Sequence, residues 1–157
     1  MTVVEQTLIV RLYRGIADHF TVRWTEWAML WPTFGLWLAL QMQPDMFSTS
    51  ASFSQVAAWA SESTWSTIFG VAMVCRLAAL IINGTFEGFE LSPHIRAAAS
   101  LVGVLIWSQI SLGFLTAYLF AGGALSGFVG WSLPVLLELM NAWRSWMDVG
   151  KQFPKER

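Results

Sequence analysis

The chain has 157 residues, of which 55% are apolar and only 12% charged, and its formal net charge is −1. An ordinary globular domain carries about 25% charged residues and a polar outer face on each surface helix, so this composition excludes a normal soluble fold. It also excludes a nucleic-acid-binding module, which needs a dense basic patch.

The first predicted element is a helix over residues 4–20. Leu8, Leu12, Ile16 and Phe20 recur every fourth position, joined by Ile9, Tyr13 and Ala17, while Arg11, Arg14 and Asp18 occupy the other face. That pattern describes an amphipathic helix lying in a membrane interface, with its arginines toward anionic headgroups, the alternative being a soluble helix packed on the cytoplasmic end of the bundle. The stretch lacks the compact apolar core and small-residue cleavage site of a signal peptide.

The first span is expected at 24–41 (WTEWAMLWPTFGLWLALQ), with Pro32 placed to kink it and four tryptophans weighting it toward the interfaces. Residues 42–63 form an outer loop with room for a short surface helix over 53–61. The second span covers 64–83 and contains Arg76 and Cys75. A lone mid-span cysteine can form no intramolecular disulfide. The connection 84–94 (GTFEGFELSPH) is rich in turn formers. The third span, 95–120, is about 26 residues long and exceeds the roughly 20 needed to cross, so it is expected to tilt. Gly122 and Gly123 make an outer turn, and the fourth span follows at 124–143 with Pro134 inside it. The fold expected is an all-α, integral membrane four-helix bundle with an N-terminal interfacial helix, forming a single membrane domain.

The basic residues orient it. Arg11, Arg14 and Arg23 precede the first span, Arg76 and Arg96 flank the connection between the second and third, and Arg144, Lys151, Lys155 and Arg157 follow the fourth. The two loops on the other side hold none. Positive charges near span ends stay in the cytoplasm, which predicts a multi-pass bacterial inner-membrane protein with both termini cytoplasmic.

Arg76 is the most conspicuous polar residue, since charge within a span is costly. It lies about 10 Å from the inner end of its helix at 1.5 Å per residue, close to the depth of Glu138 on the fourth span. An intramembrane ion pair between them is expected, with snorkelling of Arg76 to the headgroups, or a polar pathway or ligand site, as the alternatives. Glu87, Glu90, His94 and Arg96 form a polar cluster in the inner loop. Its carboxylates and imidazole have metal-site composition, but Gly88 and Pro93 break the helical spacing a Glu-x-x-His pair requires, so no metal is expected. Neither histidine lies within a span, which argues against haem and against a buried nucleophile. Glycine-rich phosphate loops are missing too, so neither a cofactor nor an enzymatic activity is expected.

Small residues point instead to helix packing. Gly123 and Gly127 form a GxxxG, and Ala99 with Gly103 and Gly113 with Ala117 repeat the four-residue spacing. Such ridges bring backbones close, within one subunit or between copies, and Gln109 is placed to add an interhelical hydrogen bond. No predicted span shows a continuous polar stripe that would line a wet hole.

The segment containing ASESTW, RLAALIINGTFEGFELSPHIRA and IWSQISLG resembles a family of small multispan membrane proteins encoded by tailed phages and prophages of Gram-negative bacteria. The shared features are Arg76 in the second span, Asn83-Gly84 at its inner end, Ser92-Pro93-His94-Ile95-Arg96 entering the third, and Trp107-Ser108-Gln109 within it. The resemblance covers about a third of the chain and implies phage origin rather than a reaction. The roles it leaves open are a holin-like oligomer, a superinfection-exclusion or host-membrane modulator, and a structural accessory subunit of a larger membrane complex. The partners expected are the lipid bilayer and either further copies of the chain or that complex.

Overall fold

The computed structural model describes residues 8–85 and 91–152, and the described residues form helices with no strand. In chain order they are α1 (Leu8–Phe20), α2 (Trp24–Ala28), α3 (Leu30–Met42), α4 (Met46–Thr49), a 3-10 turn (Ala51–Phe53), α5 (Ser54–Trp59), α6 (Glu62–Thr85), α7 (Ser92–Phe120) and α8 (Leu125–Gln152). Three of them are long and apolar enough to cross a membrane, over Glu62–Ile82, Ser92–Phe120 and Leu125–Gly150.

The stretch 24–41 is two helices rather than one. The chain turns at Met29, three residues before Pro32. Proline carries no N–H and its ring crowds the carbonyl four residues back, here that of Ala28, so the helix fails at that point and not at the proline itself. Restarted at Leu30, α3 holds Pro32 in its first turn, where a missing N–H costs nothing. Its 13 residues span about 20 Å, short of a hydrocarbon core. Pro134 behaves differently and sits inside α8 without ending it. That helix runs nine residues past the predicted limit at position 143.

α7 and α8 pair along most of their length as an antiparallel hairpin. Its turn places Gly122 at φ +71°, a left-handed conformation that favours glycine, and the Ala117 carbonyl accepts from the amides of both Ala121 and Gly123. α3 lies against α6, α1 also rests on α6, and α2 touches α8. In α1, Gly15 is buried while Tyr13, Arg14, Asp18 and Phe20 are exposed.

The outward surfaces of α6, α7 and α8 carry exposed Val71, Val74, Leu101, Leu105, Leu112, Leu133 and Leu136. This inverts the pattern of a water-soluble helix. Within apolar surroundings, helices associate through close packing and polar contacts rather than by expelling water. The interior has both features, and they occupy opposite halves.

The half near the α7–α8 turn is aromatic. Phe47 stacks on Phe53, Phe53 meets Phe114 edge-on at 4.9 Å, and Trp131 stacks on Trp107 at 5.5 Å. Phe69 then joins Trp107 to Trp65. The segment 43–61 is tied into this half by Val56, which is fully buried against α7 and accepts a 3.2 Å hydrogen bond from the Trp65 indole on its carbonyl. The half near the helix ends at α2 and the α8 C-terminus is polar, and it contains the candidate site.

Candidate functional site

Four helices build the polar half. α8 contributes Glu138, Asn141, Ser145 and Asp148, spaced three, four and three residues apart. At 3.6 residues per turn these share one face and cover about 15 Å of helix axis. The first three are essentially solvent-free, with Glu138 at 1% exposure. Arg96, Ser100 and Gly103 of α7, Arg76 of α6, and Thr25 and Glu26 of α2 are buried with them.

Two arginines organise the charges. Arg76 donates through Nη2 to Glu138 Oε1 and makes a long 3.4 Å contact to the Ala99 carbonyl. Its side chain is 8% exposed and that of Glu138 is 1% exposed, so the ion pair is closed off from water. Arg96 forms a two-point contact with Glu26, Nε to Oε2 at 2.9 Å and Nη2 to Oε1. Its Nη1 reaches Asp148 Oδ2 at 3.3 Å. The planar guanidinium matches a carboxylate in this paired geometry, which makes such contacts strong as well as directional. Thr25 bridges the two charge clusters by donating its hydroxyl to Asn141 Oδ1 at 2.7 Å.

The column holds spare capacity. Glu138 Oε2, Asn141 Nδ2 and Ser145 Oγ are shielded and make no well-aligned hydrogen bond among the described residues, the first two lying within reach of each other. A carboxylate oxygen that accepts, an amide nitrogen that donates and a hydroxyl that does either thus lie along one helix face. Buried polar groups are normally satisfied, so three together mark a place where protons or water can be accommodated. At its upper end the column meets an apolar cleft of about 480 Å³ that reaches the ion pair between Ala72, Arg76, Gly103, Ile106 and Glu138. Cys75 also lines that cleft.

Gly103 is what lets Glu138 in. A methyl placed there would overlap the Glu138 carboxylate. The other small residues serve different neighbours. Gly113 receives Val56 from α5, Gly127 receives the Phe114 ring, and Gly123 sits in the turn against Ala117. Gly130, one turn beyond Gly127, has open space beside it. Gln109 is exposed on α7, and none of the described residues hydrogen-bonds its side chain.

The expected inner-loop cluster is only partly within the described residues. Glu87 and Glu90 lie outside the described residues, His94 is exposed, and Arg96 turns inward to Glu26 and Asp148. Among the described residues, no group of three or more His, Cys, Asp or Glu side chains is placed to hold a metal ion.

The expectation concerns a continuous polar stripe; α8 carries a buried one over its C-terminal half alone. The stripe begins midway along the helix and runs past the predicted span end at 143, so only Glu138 and Asn141 fall within the predicted span. The three-four-three spacing of polar residues through Asp148 was the available signal. Glu26 and Thr25 were hidden differently, as a polar step within a tryptophan-rich run whose partners lie some 70 and 116 residues away.

No protein-family model, no curated protein and no solved structure matches this chain.

Proposed function

We propose that this chain is a multi-pass bacterial inner-membrane protein of phage type, with both termini in the cytoplasm, acting without enzymatic chemistry as a holin-like, membrane-permeabilising oligomer. α6, α7 and α8 cross the bilayer, α2 and α3 together make a broken first crossing, and α1 lies along the inner interface with its exposed Arg14 toward the headgroups.

The observation that carries the reading is a buried polar column that stops halfway against an aromatic plug. Ionisable groups in a bilayer are costly and typically mark paths for water, protons or ions. A bundle needing only stability gains little from them, because apolar residues of similar volume can replace a buried ion pair at a far smaller cost than breaking it. Arg76, Glu138, Arg96, Glu26 and the stripe on α8 are therefore kept for what they do when helices move apart. Separation of α8 from α7 in an oligomer turns this face into the wall of a hole, with Trp107 and Trp131 as the barrier to be displaced.

One observation favours a second reading. Gly103, Gly113 and Gly127 are filled within the subunit by Glu138, Val56 and Phe114, so these ridges are not free for self-association. A monomer that keeps its packing while presenting exposed Trp31, Trp143 and Trp146 suits an exclusion factor or an accessory subunit.

Inducible expression in a bacterial host, with membrane potential and growth followed together, separates these roles. Abrupt depolarisation after a delay supports permeabilisation. Phage resistance in growing, polarised cells supports exclusion and removes the first reading, and an unchanged host leaves the accessory role.

A further inference from the structure

A second cavity, polar and of about 430 Å³, opens beneath the column where α2, the first turn of α7 and the last turns of α8 converge. Arg23, Arg96 and Arg144 line it against two carboxylates, Glu26 and Asp148. Among the described residues the charges do not balance, and three guanidinium groups against two carboxylates leave one positive charge in excess.

The excess is localised by the hydrogen bonds. Arg96 spends its donors on Glu26 and Asp148. Arg144 is exposed and gives Nη2 to the Val22 carbonyl at 2.7 Å. Arg23 is half-buried, and its Nε and Nη1 are shielded without any acceptor. Burial first, and then the nearby charge of Arg96, pull the Arg23 guanidinium below its ordinary pKa. A buried cationic donor without an acceptor is destabilising until an anion meets it. Exposed Trp143 and Met147 beside the cavity supply an apolar wall, and tryptophan prefers the level at which hydrocarbon gives way to headgroups.

We propose that this cavity binds a phosphate group between Arg23 and Arg144, supplied either by the headgroup of an anionic phospholipid or by free phosphate. Arginine forks pair with phosphate oxygens at two points, and both Arg23 and Arg144 line the cavity. The phospholipid source rests on the membrane embedding proposed above, but not on permeabilisation. The depolarisation assay therefore stands or falls separately.

The test uses the full-length chain purified in a neutral detergent. Thermal unfolding and native mass spectrometry are followed with phosphatidylglycerol, with zwitterionic phosphatidylcholine and with inorganic phosphate. Binding of phosphatidylglycerol over phosphatidylcholine by at least tenfold, weakened at least tenfold by Arg23→Gln, supports the site with a lipid as its source. Binding of inorganic phosphate alone, equally lost in Arg23→Gln, supports it with the free anion as its source. Arg144→Gln, at an exposed position, must weaken binding too and covers the case in which Arg23→Gln does not fold. Arg14→Gln removes an equal charge on α1, away from the cavity, and must leave binding of inorganic phosphate unchanged and weaken that of phosphatidylglycerol by far less than tenfold. Binding that is indifferent to lipid charge, or weakened as much by Arg14→Gln as by the cavity variants, or absent for every probe, overturns the proposal.

Discussion

Removing one partner of the Arg76–Glu138 pair should destabilise the fold more than removing both. With Glu138→Met, Arg76 keeps only its 3.4 Å contact to the Ala99 carbonyl in a site that admits almost no water. A charge at the centre of a membrane helix costs about 3 kcal/mol on insertion scales, and breaking a buried pair costs roughly 3–5 kcal/mol. Arg76→Met leaves the Glu138 carboxylate in the same position with neither oxygen bonded to a guanidinium. Each single change is therefore expected to cost about 3 kcal/mol. The double change replaces both charges by side chains of similar volume and should cost about 1–2 kcal/mol. Polar contacts inside membranes often measure weaker than this, because the unfolded chain in lipid or detergent also finds partners. A coupling of about 2 kcal/mol, some 30-fold in the unfolding equilibrium, is thus the smallest value the geometry supports. The assay is reversible unfolding of the four variants in mixed micelles titrated with a denaturing detergent. A double variant whose loss equals the sum of the singles within about 0.5 kcal/mol would show that the two residues are energetically independent, and the reasoning would be wrong.

Gly103→Ala pushes a methyl into the Glu138 carboxylate and should cost about 1–3 kcal/mol, whereas Gly130→Ala, with open space beside it, should be neutral or slightly stabilising in the same titration. Equal effects at the two glycines would remove Gly103 as the seat of Glu138. Glu26→Gln takes the two-point partner of Arg96 and should lower the melting temperature clearly more than Asp148→Asn, whose contact to Arg96 is 3.3 Å long and whose side chain is 36% exposed. The reverse order would mean that Asp148 is the principal anchor. Reporter fusions after Arg157 and within the segment 48–54 should report cytoplasm and periplasm respectively, and both reporting the same compartment would end the proposed topology.

The long helices were legible in the sequence because their cause is local. Length and mean hydropathy mark α6, α7 and α8 without reference to any neighbour. The equal depth of Arg76 and Glu138 on two helices running the same way was legible too, since rise per residue converts sequence position into height. Rotation about the helix axis is a different matter. Whether Glu138 meets Arg76 or faces outward depends on how α8 seats against α7, and that seating is set by Gly103, which makes room for the carboxylate. The break at Met29 follows from Pro32 only once the carbonyl four residues back is considered. Its consequence, that α2 swings Glu26 and Thr25 against Arg96 and Asn141, appears only when α2, α7 and α8 are assembled. Composition and periodicity thus determine which segments are apolar and which face of each is polar. Tertiary structure decides which charges are neutralised, because a buried charge selects its partner by distance and orientation, and neither quantity exists until helices far apart in the chain are packed together.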